Sequence, residues 1–143
     1  MPRNAVEKLI KKHRTGDPFR IAAERNIMIL YEDLGHTVRG YYLVSRRQKT
    51  IHINSRLSKE EQRVVCAHEL GHDVLHPGVN TPFLKNHTYQ CTQKNEIEAN
   101  TFAAHLLIPD DALIESKENG YTLSQLAALC EVPEELAALR IRK

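Results

Sequence analysis

The chain has 143 residues, enough for one domain with a sizeable core. Its 27% charged and 41% hydrophobic residues are the balance of an ordinary globular protein, and no apolar run is long enough to span a bilayer, which excludes a membrane-spanning chain. The formal net charge of +2 is too small an excess to demand a nucleic-acid or membrane partner.

The chain opens Met1-Pro2-Arg3-Asn4 and runs into a charged helical pattern where a secretory signal would carry an apolar core, so a cytoplasmic protein is expected. Within residues 4–13, Val6, Leu9 and Ile10 recur at helical spacing. Thr15-Gly16-Asp17-Pro18 breaks that helix, and Asp17 caps a short second one with Pro18 at its first position. Three apolar, partly β-branched stretches follow at residues 27–31, 38–45 and 50–53, with Arg46-Arg47-Gln48-Lys49 as a polar turn. They predict a small β-sheet ahead of the next helix.

That helix carries His68-Glu69-Leu70-Gly71-His72, an H-E-x-x-H motif. Residues i and i+4 of a helix lie one turn apart on the same face, so His68 and His72 aim two imidazoles at one point. Glu69 lies about 100° further round the axis, beside that point and not on it. There a carboxylate can take a proton from a water at a metal ion. Local signals support the helix. Ser58 with Glu61 forms a capping box, Val64, Val65, His68, His72 and Leu75 share one broad face, and Pro77-Gly78 is the stop.

A loop of about 15 residues, 79–93, comes next, and its length predicts a functional or mobile segment. The remaining pattern is helical. One helix covers about 94–107, a second starts at Pro109-Asp110-Asp111 and closes at Asn119-Gly120, a third is capped by Thr122 with Gln125, and a last one covers about 134–141.

A catalytic zinc needs a third protein ligand and an open position. The metzincin solution is excluded, because the residue six beyond His72 is Gly78. A later glutamate is the gluzincin solution, and Glu96 and Glu98 are both candidates. Two residues apart on a helix, they cannot face the same way, and spacing does not choose between them. Among the cysteines, Cys66, Cys91 and Cys130 are odd in number and lack C-x-x-C spacing. Cys66 precedes His68 by two residues and reads as a buried small residue, and Cys91 lies in the polar loop. His76, one turn after His72, reads as a helix-end residue or an outer hydrogen-bond donor, and His105 as a surface or boundary histidine. His36, Tyr41, His87 and Tyr89 are the available donors for an oxyanion, and nothing in the sequence selects one.

Three pieces together resemble the ImmA/IrrE family of bacterial and phage metallopeptidases. They are the strand Ile51-His52-Ile53-Asn54, the H-E-x-x-H motif with Leu75-His76 after it, and the string from Glu96 to Pro109, E-x-E-A-N-x-F-A-x-x-L-L-x-P. The resemblance implies an α+β, zincin-like fold over one domain, residues 1–143. It implies Zn²⁺ held by His68, His72 and Glu96, with Asn100 in support, Glu98 as the second choice and Glu69 as the catalytic base. It also implies an endopeptidase acting on a regulatory protein, an Xre-like helix-turn-helix repressor of a phage or mobile element, or an antitoxin. A second class stays open: a metal-containing regulatory or toxin–antitoxin component that binds such a partner without efficient proteolysis.

Residues 122–143 themselves look like a helix-turn-helix. A DNA-reading helix carries basic and amide side chains at its start, whereas this one begins Pro133-Glu134-Glu135. Leu123, Leu126, Leu129, Val132, Leu136 and Leu139 explain the segment as packing, so no direct nucleic-acid contact is expected.

Overall fold

The structure is a computed structural model that describes residues 2–78 and 93–142. Helix α1 (Pro2–His13) buries Val6 and Leu9, two of the residues that set its period. Helix α2 (Pro18–Glu24) begins as its sequence dictates, with Pro18 in the first turn and the Asp17 carboxylate accepting the Phe19 N–H at 3.0 Å.

Strands β1 (Ile27–Glu32), β2 (Gly40–Ser45) and β3 (Gln48–Asn54) make one sheet in the order β1-β3-β2. β1 runs parallel to β3, and β2 pairs antiparallel with it. The four-residue turn expected at Arg46 to Lys49 is shorter. Ser45 pairs with Gln48, which leaves Arg46 (φ 51°) and Arg47 (φ 67°) as a two-residue loop. Positive φ at both central residues matches the twist of the flanking strands. Tyr42, Ile51 and Ile53 turn to the buried face of the sheet, which rests on the next helix.

That helix, α3 (Lys59–Leu75), starts at the expected capping box. Ser58 Oγ accepts the Glu61 N–H at 3.1 Å, and the Glu61 carboxylate accepts the Ser58 N–H at 3.0 Å. Its end is closed at His76, whose N–H bonds the His72 carbonyl at 2.9 Å. Helix α4 (Gln93–Leu107) is the central helix, touched by α1, α3 and the last helix of the chain. Ala99, Phe102, Ala103, Ala104, Leu106 and Leu107 are all buried on it.

Helices α5 (Asp110–Asn119), α6 (Leu123–Cys130) and α7 (Glu134–Ile141) complete the described chain. Gly120 ends α5 at φ 64°, and Thr122 with Gln125 caps α6 as predicted. Leu126, Val132, Leu136 and Ala137 join the main core cluster. Leu129 does not: it is 43% exposed, because it sits on the outer side of α6. Arg140, at the expected basic end of α7, points inward. It is buried, donates from Nε to the Ile108 carbonyl at 2.7 Å, and pairs through Nη2 with Asp110. The result is an α+β molecule with seven helices and one three-stranded sheet among the described residues, in agreement with a zincin-like domain. No helix among these residues is long and apolar enough to cross a membrane.

Candidate metal centre

Two glycines let the site assemble. A Cβ on Gly71, inside the H-E-x-x-H motif, would stand 2.9 Å from Phe102 Cδ1 and 3.1 Å from its Cγ. With hydrogen there, α4 lies close against α3 and its first turns reach the histidines. A Cβ on Gly40 would stand 2.5 Å from the His52 carbonyl oxygen and 2.6 Å from Val65 Cγ1, so β2 crosses α3 closely at its start.

Under this packing the Nε2 atoms of His68 and His72 come within 3.2 Å of each other. Glu96 closes the triangle, with Oε1 3.0 Å from His68 Nε2 and Oε2 2.9 Å from His72 Nε2. One donor atom from each of the three lies within 4.8 Å of the others, and this is the metal-capable cluster found among the described residues. His72 is fully buried, while Glu96 is nearly half exposed. Tetrahedral zinc ligands at about 2.0–2.1 Å from the ion stand about 3.3 Å apart. The observed triangle therefore fits such an ion with an outward adjustment of a few tenths of an ångström.

Glu69 is 5% exposed and lines the same cavity of about 360 Å³ as His68, Glu96, Asn100, Val64, Val65, Thr37, Arg39 and Gly40. Burial works against protonation of His68, but the Glu96 carboxylate that accepts from its Nε2 and the charges of Glu69 and Glu96 raise its pKa above the ordinary value.

The runner-up ligand is turned elsewhere. Glu98 Oε1 accepts from His76 Nε2 at 2.9 Å and does not join the triangle. His76 Nδ1 lies 3.2 Å from His72 Nδ1, beside that ring and outside the triangle. Cys66 is wholly buried, its thiol pKa pushed up by burial, and stands outside the cluster. His105 is half-buried as expected, with its pKa lowered by burial and by the nearby Arg140 and Arg3. Of the oxyanion candidates, His36 is exposed and Tyr41 stacks on His52, with ring centroids 4.2 Å apart, on the far face of the sheet. Neither lines the cavity. His87, Tyr89 and Cys91 lie outside the described residues. The polar side chains the sequence did not single out at the site are Thr37 and Arg39, which precede β2 and carry no motif signal of their own.

Beneath the site lies a further polar group. Asp73, next to His72, is buried and accepts the Tyr42 hydroxyl at 2.5 Å, Arg25 Nε at 2.8 Å and Lys49 Nζ at 3.2 Å. Burial alone would raise its pKa, but the hydrogen bonds from Tyr42 and Arg25 and the Arg25 charge hold the carboxyl below the usual range.

An α+β scaffold presenting H-E-x-x-H on one helix opposite a glutamate of the next is the arrangement of a metallopeptidase class. The family model for peptidase M78, the IrrE N-terminal-like domain, matches residues 22–142, and the chain belongs to this family. It is similar to "uncharacterized immunity region protein 2" of Bacillus phage phi105, 45% identical over 136 residues covering 95% of this chain and 86% of that protein. "Metallopeptidase ImmA" of Bacillus subtilis strain 168 is 35% identical over 135 residues, 92% of this chain and 78% of that protein. A third relative, "phage-like element PBSX protein XkdA" of the same strain, is 29% identical over 128 residues, 87% of this chain and 61% of its own length.

Proposed function

We propose that residues 1–143 act as one zinc-dependent endopeptidase domain that cuts a peptide bond in a cytoplasmic regulatory protein, a helix-turn-helix repressor of a phage or mobile element. The observation that carries the reading is the convergence of His68, His72 and Glu96 with Glu69 buried on the wall of the same open cavity.

His68, His72 and Glu96 would hold the ion. When bound, zinc would supply a Lewis acid that polarises a water and a carbonyl group. Glu69 accepts the proton of the attacking water and returns it to the leaving amine. Its burial excludes competing solvent from that exchange. Asn100 lines the cavity beside His68 and Glu96, in the supporting position. Thr37 and Arg39 are the cavity's side chains with N–H or O–H groups that a substrate backbone would meet on the β2 side.

The substrate class rests on the relatives. One bears an immunity-region name and comes from a phage, and another is a metallopeptidase. The test is incubation of the zinc-loaded protein with an Xre-like repressor from the same phage or mobile element, followed by mass spectrometry. A single zinc-dependent cut supports the proposal. A stable complex with an intact repressor favours the second class, a regulatory or toxin–antitoxin component that acts by binding.

A further inference from the structure

We propose that His76 and Glu98 are positioning residues for the metal centre: together they fix the tautomer and ring plane of His72. This inference rests on the metal reading above and extends it to residues that touch neither ion nor substrate.

The geometry is a chain of three side chains. Glu96 Oε2 and His68 Nε2 meet His72 at Nε2, and with an ion held at that point Nε2 presents its lone pair to it. The single ring proton of neutral His72 then sits on Nδ1. Nδ1 faces His76 Nδ1 at 3.2 Å. To accept that proton, His76 must itself carry its hydrogen on Nε2. There the hydrogen meets Glu98 Oε1 at 2.9 Å. Each nitrogen of the two rings thus has one role, and only one arrangement of protons satisfies all of them. Reversing it would put two N–H groups face to face, or leave the Glu98 carboxylate without its donor.

The chain is sheltered where it matters. The side-chain exposures fall from 30% at Glu98 to 8% at His76 and none at His72. It is also tied to the backbone, because His76 caps α3 through its N–H bond to the His72 carbonyl. Both ends of the link therefore have fixed places, one at the end of α3 and the other one turn into α4. A metal-binding histidine whose other nitrogen loses its partner is reoriented more easily and binds more weakly, typically by about 10–100-fold.

Zinc affinity, measured by competition with a chromogenic chelator, and the visible absorption of the cobalt-substituted protein test this on full-length variants. Glu98 is partly exposed on a helix, so Glu98→Ala and Glu98→Gln are expected to fold. Glu98→Ala should weaken zinc by about 10–100-fold, keep one ion per chain and shift the cobalt bands. Glu98→Gln keeps an acceptor oxygen for His76 and should stay within about threefold of the parent. His76→Phe should match Glu98→Ala, and the double variant should be no worse than His76→Phe, because the two act in series. Glu96→Ala should lose far more affinity than any of these. A Glu98→Ala protein with parental affinity and spectrum would overturn the inference and leave the metal reading intact. So would a Glu98→Gln protein as weak as Glu98→Ala. A parent chain that binds no stoichiometric zinc would overturn both.

Discussion

At the residue scale the site is a division of labour among neighbours on one helix. His68, Glu69, His72 and Asp73 are nearly consecutive, yet they divide among three surroundings: His68 and His72 in the triangle with Glu96, Glu69 on the cavity wall, and Asp73 in a buried tie to the sheet. The convergence of the two histidines, with Glu69 set to one side, could be read from the sequence because i,i+4 geometry is local. The tie at Asp73 could not, since Tyr42, Arg25 and Lys49 reach it from 31, 48 and 24 positions away and nothing local marks the pairing. For the same reason Glu98 could be named in the sequence as a possible ligand but not as the partner of His76, 22 residues earlier. Asp73→Ala should lower stability by about 3 kcal/mol, because it removes the buried carboxylate that accepts from Tyr42 and pairs with Arg25. Urea denaturation measures it. A loss below about 1 kcal/mol would mean that the sheet is held to α3 by apolar packing alone.

The element scale is governed by how closely α3 and α4 approach. Capping boxes at Ser58 and Thr122, the Asp17-Pro18 start and the Gly120 stop were all readable, since each is a contact within four residues. The Arg46-Arg47 turn was read two residues too long, because neither arginine signals the left-handed backbone that both adopt. Gly71 shows the cost of close approach. An alanine there gains about 1 kcal/mol in helix propensity but forces the Phe102 ring aside, which costs about 1–3 kcal/mol in a packed core. Gly71→Ala should therefore be destabilised by about 1 kcal/mol and bind zinc less tightly, since Glu96 rides on the displaced helix. Thermal melts and a zinc titration on the same preparation check both effects. An alanine variant more stable than the parent, with unchanged affinity, would show that the helices have room to spare.

For the whole molecule, the α+β architecture and the order of its elements could be read from hydrophobic periodicity, and the family from the strand at 51–54 together with the two motif strings. The parallel pairing of β1 with β3 could not, because register between strands that are distant in sequence is set by tertiary packing. The C-terminal pair α6 and α7 looks like a DNA-reading unit in sequence, but its surface argues for packing. Glu134 and Glu135 stand exposed at the start of α7, and Arg140 is used internally. Gel-shift titration at low salt should show no sequence-selective binding. A selective shift lost in Arg142→Ala would reverse that view, and Arg142 is the residue to change because Arg140 holds the fold.

The account stands or falls on Glu69 acting beside the metal and not on it. The direct measurement is zinc content and repressor cleavage determined on the same preparation of Glu69→Gln. The protein should retain about one zinc per chain and the parent affinity, while cleavage falls by about 10²–10⁴-fold. A variant that loses its zinc, or that still cuts the repressor at close to the parent rate, would contradict the account.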